Sequence, residues 1–268
     1  MDPKIVFLVA LLAQSYKGKK FTYGASSGQF DPSRVSQISW NPRAFIYRGF
    51  LSDDECDHLI YLGKDKLEES QVVDEENGIN VMSEYRTSSS MFLPTTIQDN
   101  IVSKIEAKIA AWTFLPQENG EDIQILRYKK GQKYGVHPDY APDDVAEQER
   151  GGNRLATILM YLSNVDLGGE TVFPYSQTKY GDTKGDYSSD CAKQGQAVKP
   201  RKGDALLFFS LFPNGTIDPS SMHEACPVIK GEKWSATKWI RVRAFKTMTS
   251  RLTTTMFMKN RIALQEES

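Results

Sequence analysis

Two histidines and one aspartate are the residues of this chain whose types and spacing could do chemistry together. His137 and Asp139 stand two apart behind Tyr134-Gly135-Val136, and in extended backbone a spacing of two puts both side chains on one face. That offers one imidazole and one carboxylate to a single point. His223, at the start of a later segment with strand character, would complete a set of two imidazoles and one carboxylate. Three such donors hold a divalent ion with one negative charge and leave other positions of an octahedral Fe(II) open for a chelating cosubstrate and oxygen. Lys233 lies beyond the turn signal Lys230-Gly231-Glu232, so an antiparallel hairpin would return a cation toward the same place. Alternation from Lys233 puts Ser235, Thr237, Trp239 and Arg241 on its face and Trp234, Ala236, Ile240 and Val242 on the other. A cation facing inward needs an anion. Each feature also has a plainer reading: His-x-Asp near Pro138 and Pro142 is commonly a loop, and a strand lysine commonly guards a sheet edge.

The elements that must position these residues change character along the chain. Ser52-Asp-Asp-Glu55 is a capping box, which predicts a helix from Asp53 into Leu67 with Cys56, Leu59 and Ile60 on its buried side. Ile97, Ile101, Ile105 and Ile109 repeat every four residues and predict a second helix from Thr96 to Trp112. From Asp122 onward, segments rich in Ile, Val, Thr, Phe and Tyr predict strands over Ile123–Tyr128, Leu155–Leu162, Glu170–Phe173, Ala205–Leu211, Met222–Ile229 and Lys233–Phe245. Helices followed by many short strands point to a mainly β fold with flanking helices, a double-sheet jelly roll. Residues 174–203 read as a polar insertion outside the core.

Composition bounds the function. The chain has 268 residues, with 33 Lys+Arg against 34 Asp+Glu for a formal charge of −1, so no net positive field supports nucleic-acid binding. Hydrophobic residues at 40% are ordinary for a globular protein. Ile5–Ala13 is an apolar run too short to span a bilayer but long enough for the hydrophobic part of an export signal. The expected organisation is a signal peptide or short anchor over 1–15, a linker over 16–37, a folded domain over 38–247 and a tail over 248–268. Asn214-Gly215-Thr216 is a glycosylation sequon, meaningful only inside the secretory pathway. Of the three cysteines, Cys191 and Cys226 could close a disulfide in an oxidising lumen, while Cys56 on the first helix reads as a buried thiol.

Five ordered motifs resemble the prolyl 4-hydroxylases, especially the plant and algal enzymes. They are Tyr128-Lys-Lys-Gly-Gln-Lys-Tyr134-Gly-Val-His137-Pro-Asp139, Gly151-Gly-Asn-Arg154-Leu-Ala-Thr, Gly168-Gly-Glu-Thr171-Val-Phe-Pro, Lys202-Gly-Asp-Ala-Leu-Leu-Phe, and the stretch from His223 through Lys233 to Trp239. The resemblance extends from about Trp40 to Phe245. It implies a double-stranded β-helix using Fe(II), 2-oxoglutarate and oxygen to hydroxylate peptidyl proline, with L-ascorbate as a further cofactor. It implies iron ligation by His137, Asp139 and His223, and a distal-carboxylate contact at Lys233. Tyr128 and Thr171 match residues that seat 2-oxoglutarate. Tyr134, Arg154 and Trp239 match the proline site, and Arg86 and Ser88 match a mobile loop that grips the peptide. Arg241 departs from the commonest pattern, in which a histidine stands two residues after the tryptophan. The implied substrates are proline-rich polypeptides, cell-wall hydroxyproline-rich glycoproteins in a plant, and the implied compartment is the endoplasmic reticulum lumen.

Three other readings fit parts of the pattern. A related 2-oxoglutarate oxygenase could act on another substrate, a catalytically silent jelly roll could bind proline-rich peptides, and a zinc hydrolase could use the same three donors, although no His-Glu-x-x-His supplies its base.

Overall fold

The computed structural model describes residues 30–73, 80–142, 148–177 and 189–245; the expected signal peptide and C-terminal tail lie outside them. Chain order runs β1 (Val35–Trp40), β2 (Arg43–Tyr47), α1 (Asp53–Gly63), β3 (Glu68–Glu69), β4 (Val72–Val73), β5 (Asn80–Val81), β6 (Ser89–Leu93) and α2 (Asn100–Thr113). Then follow β7 (Ile123–Tyr128), β8 (Tyr134–His137), β9 (Arg154–Tyr161), β10 (Leu167–Gly168), β11 (Thr171–Phe173) and β12 (Gln196–Val198). The last are β13 (Ala205–Phe209), β14 (His223–Ala225), β15 (Val228–Lys230) and β16 (Lys233–Arg241). Eight strands form one sheet in the order β1-β2-β13-β9-β16-β7-β6-β3, and β12-β11-β14-β8 form a second. The architecture is the expected jelly roll.

Strand alternation sorts the side chains into two layers. Ile123 and Ile125 of β7, Ala156, Ile158 and Met160 of β9, and Trp234, Ala236 and Ile240 of β16 pack with Leu59 of α1 and Ile105 and Ile109 of α2. Each large aliphatic side chain fully buried there contributes about 1.5–3 kcal/mol. Lys238, on the same face, is accommodated by a 2.7 Å ion pair to Glu106 of α2. The opposite face packs Ile46, Tyr161, Leu206 and Phe208 against Phe173 and Val198 of the smaller sheet. This second core adjoins the site, with the Phe208 ring centroid 4.6 Å from that of His223.

Several boundaries differ from the sequence expectation. The capping box is present, with Ser52 Oγ accepting from the Glu55 amide and Glu55 Oε2 from the Ser52 amide. The helix nevertheless ends at Gly63, where a Cβ would come within 2.9 Å of Ile125 Cγ2. The second helix starts late because Asp99 Oδ1 accepts from the Ile101 and Val102 amides and so caps it. Residues 35–37, expected in the linker, belong to β1, which pairs with β2 from Val35↔Tyr47 onward. Residues 196–198 of the expected polar insertion form β12, a buried strand. The single strand expected over Met222–Ile229 is two, β14 and β15, in different sheets, because Pro227 has no amide to continue a ladder. Cys191 and Cys226 form a disulfide with Cα atoms 5.8 Å apart. Cys56 is buried and free, and burial pushes its thiol up to about 12. Among the described residues, no helix is long and apolar enough to cross a membrane.

Candidate metal and cosubstrate site

β8 and β14 are neighbours in the smaller sheet, with His137 directly opposite His223. Asp139 follows just beyond the end of β8. Register therefore brings the three expected donors together, with one atom from each inside a span of 4.8 Å. Asp139 Oδ1 is 4.0 Å from His137 Nε2, and Oδ2 is 3.8 Å from His223 Nε2. These gaps are too wide for hydrogen bonds, yet two metal bonds of about 2.0–2.2 Å span them.

The surroundings fix which atoms face that gap. His137 Nδ1 lies 2.7 Å from the Gly135 carbonyl and His223 Nδ1 3.1 Å from the Ser221 carbonyl. A carbonyl only accepts, so each Nδ1 carries the proton and each Nε2 presents a lone pair. Burial and the neighbouring His223 push His137 down to about 3, which keeps it neutral. Asp139 is buried, and although desolvation opposes ionisation, the Arg154 guanidinium and the Thr157 hydroxyl help hold its carboxyl below the usual range. Thr157 Oγ1 donates to Asp139 Oδ2 at 2.6 Å. Neutral nitrogens and an ionised carboxylate are a donor set that fits a divalent iron.

Beyond the triad a cavity runs between the sheets, lined by Tyr128, Thr171 and Lys233 among others. Lys233 is 1% exposed. Its ammonium sits over the Tyr128 and Tyr161 rings, 5.3 and 5.7 Å from their centroids, and no hydrogen bond or ion pair reaches it among the described residues. Burial draws Lys233 down to about 7, with Glu170 as a partial counterweight. A buried cation without a carboxylate is costly, and the open cavity beside it is where one could be supplied. Thr171 Oγ1 accepts from the Tyr161 hydroxyl at 3.0 Å, which leaves the threonine O–H free to donate into the cavity. Tyr128 and Lys233, opposite each other on β7 and β16 of the large sheet, and Thr171 on β11 of the smaller sheet thus line the same cavity from its two sides.

Aromatic and guanidinium groups crowd the mouth. The Tyr134 ring stacks on His137 at 3.5 Å between centroids, and the Arg86 guanidinium lies 4.7 Å from the Tyr134 centroid. Arg86 also donates to Gln124 Oε1 and to the Gln71 carbonyl. Across the opening, Arg154 covers Trp239 at 4.0 Å and makes a two-point ion pair with Glu121. The Trp239 indole N–H is buried without a hydrogen-bond partner among the described residues. One expectation is corrected here. Ser88, placed in a peptide-gripping loop, is 1% exposed and hydrogen-bonds Ser70 and the Tyr128 hydroxyl; it steadies the cosubstrate wall instead of meeting a peptide. Arg241 is buried, donates to the Gly152 carbonyl at 2.6 Å and pairs with Glu121 at 2.9 Å, so its charge is engaged in the scaffold beneath Arg154.

Sequence reasoning missed Thr157, Leu159 and Tyr161 of β9, Gln124 and Leu126 of β7, and Glu121. All but Glu121 obey the alternation that revealed Lys233. Lys233 stands opposite Tyr128, Ser235 lies between Leu126 and Tyr161, and Trp239 is opposite Thr157. Extending the period-two reading from β16 to β7 and β9 would have found them.

Comparison with known proteins places this geometry. Residues 123–241 match the 2OG-Fe(II) oxygenase superfamily. The chain is 61% identical over 227 residues to probable prolyl 4-hydroxylase 7 of Arabidopsis thaliana, covering 85% of this chain and 71% of that protein. It is 52% identical over 245 residues to prolyl 4-hydroxylase 2 of the same plant, covering 90% and 81%. Among solved structures, the 2OG complex of a viral collagen prolyl hydroxylase from Paramecium Bursaria Chlorella virus-1 superposes with a TM-score of 0.55. It shares 28% identity and covers 74% of this chain and 94% of that one.

Proposed function

Because the chain belongs to the plant-type prolyl 4-hydroxylases of the 2OG-Fe(II) oxygenase superfamily, it is a dioxygenase that hydroxylates peptidyl proline with Fe(II), 2-oxoglutarate and oxygen, and we propose which of its residues do so and where. That membership, with the donor set intact, sets aside the zinc-hydrolase and silent-module alternatives. The observation that carries the assignment is the convergence of His137, Asp139 and His223 at one end of a cavity that has the unpaired Lys233 ammonium in its wall.

The iron would be held by His137 Nε2, His223 Nε2 and an Asp139 oxygen, and bound there it supplies the activation of oxygen that no side chain can perform. Lys233 binds the distal carboxylate of 2-oxoglutarate as a charge-assisted pair, with Thr171 and Tyr128 alongside. Tyr134, Trp239, Arg154 and Arg86 orient the proline-bearing segment at the mouth. The stacked Tyr134 ring also shields His137 from water, and the Tyr128 and Tyr161 rings exclude water from Lys233.

Proline-rich polypeptides of the secretory pathway, including cell-wall hydroxyproline-rich glycoproteins, are the proposed substrates, and the lumen of the endoplasmic reticulum is the proposed compartment. The apolar run Ile5–Ala13 and the Cys191–Cys226 disulfide support the compartment. L-ascorbate is the proposed auxiliary reductant. Incubating the protein with iron, 2-oxoglutarate, ascorbate and a polyproline peptide should add one oxygen per modified proline and release succinate in equal amount. Succinate released without peptide oxidation would refute the assigned substrate.

A further inference from the structure

Asn214-Gly215-Thr216 takes no part in the site above, and no other Asn-x-Ser/Thr with x different from Pro occurs in the chain. It lies in the loop from β13 to β14, and all three residues are exposed. Gly215 adopts a φ of 85°, which reverses the chain so that the Phe212 amide donates to the Thr216 carbonyl at 2.7 Å and the Gly215 amide to the Phe212 carbonyl at 2.9 Å. A Cβ built at Gly215 would meet nothing within 4 Å, so the tip of the loop stands in open space. Asn214 Oδ1 accepts from both the Thr216 amide, at 3.0 Å, and the Thr216 hydroxyl, at 2.7 Å. Two donors on one carboxamide oxygen polarise the amide and favour loss of a proton from Nδ2, which carries no hydrogen bond among the described residues. The base of the loop is pinned separately. The Asp218 amide donates to the Ser210 carbonyl at 2.9 Å, and its carboxylate accepts from Ser220, so a bulky group on the tip need not disturb His223.

We propose that Asn214 is a site of N-linked glycosylation. Asn214 Nδ2 attacks C1 of a lipid-pyrophosphate-linked oligosaccharide; the C1–N bond forms, the C1–O bond to the pyrophosphate breaks, one amide proton is released, and the lipid pyrophosphate departs. Occupancy in the cell rests on the lumenal reading above, whereas the acceptor competence of Asn214 does not. The test therefore has two arms, both translating the full chain with endoplasmic-reticulum microsomes: one with the native N-terminus, the other with a strong cleavable leader placed before residue 1.

In the leader-bearing arm, protease-protected chain should show one mobility step that peptide N-glycosidase removes. The step should persist in Thr216→Ser, be lost in Thr216→Ala and Asn214→Gln, and the Asn214→Gln protein should keep wild-type hydroxylation. Protected leader-bearing chain without the step, or a step that survives Asn214→Gln, overturns the proposal. The native arm decides the compartment on its own: unprotected chain there, with Asn214 glycosylated in the leader-bearing arm, refutes the lumenal reading and leaves the acceptor site standing.

Discussion

Lys233 turns burial into a binding preference. Its ammonium is drawn down to about 7 by desolvation, so near neutral pH the empty pocket holds it partly deprotonated. A dicarboxylate favours the charged form. Binding above that pH must therefore take up a proton, and 2-oxoglutarate affinity should weaken as pH rises beyond about 7, approaching tenfold per pH unit. Calorimetric titrations at several pH values, run in buffers of different ionisation enthalpy, would reveal the proton uptake; an affinity flat from pH 6 to 9 would contradict it. Lys233→Ala should cost about 2–5 kcal/mol of 2-oxoglutarate binding and leave peptide affinity much less affected, while equal losses in both would remove its assigned role. Thr157 acts at one remove, through its 2.6 Å bond to Asp139. Thr157→Val should lower iron affinity about 10–100-fold and Thr157→Ser should restore it; unchanged affinity in the valine variant, measured by metal competition, would leave Thr157 a packing residue. The donors His137, Asp139 and His223 were legible in the sequence as types and spacing. Thr157 was not, because a threonine becomes a carboxylate partner only once strand register sets it beside Asp139.

At the scale of elements, long regular stretches were legible and short irregular ones were not. The alternation of β16 gave its two faces from Lys233 to Ile240, since the strand pairs with β7 over Lys233–Thr237 and with β9 over Ser235–Arg241; Val242 falls beyond its end. β6 was missed because Ser-Ser-Met-Phe-Leu lacks an alternating pattern and takes its place by lying between β7 and β3. Ser88 was misassigned for a related reason: residues before β6 read as loop, yet hydrogen bonding with Ser70 buries them. β14 spans only three residues, too few to hold His223 by ladder bonds alone. The disulfide compensates, fastening Cys226 just beyond β14 to the turn at Cys191 across a separation of 35 residues. Replacing both cysteines by serine should therefore cost about 3–4 kcal/mol of stability by loop-closure entropy. A urea midpoint unchanged in the double variant would show that the neighbouring packing suffices.

The molecule as a whole separates stability from chemistry by layer. Helices and the outward face of the large sheet hold the main core, and the space between the sheets is shared by a smaller apolar cluster and the polar groups of the site. The jelly roll was legible from the order of helices and strands, whereas the pairing of β8 with β14 that closes the metal site is a long-range choice visible only in the fold. The most direct test of the central claim is anaerobic titration of the metal-free protein with Fe(II) and 2-oxoglutarate, followed by the visible charge-transfer absorption that arises when a 2-oxo acid chelates ferrous iron. The wild-type chain should develop the band with one iron per chain. Single alanine replacements of His137, Asp139 or His223 should abolish it, and Lys233→Ala should require far more 2-oxoglutarate to reach it. An undiminished band in any of the three ligand variants would contradict the account.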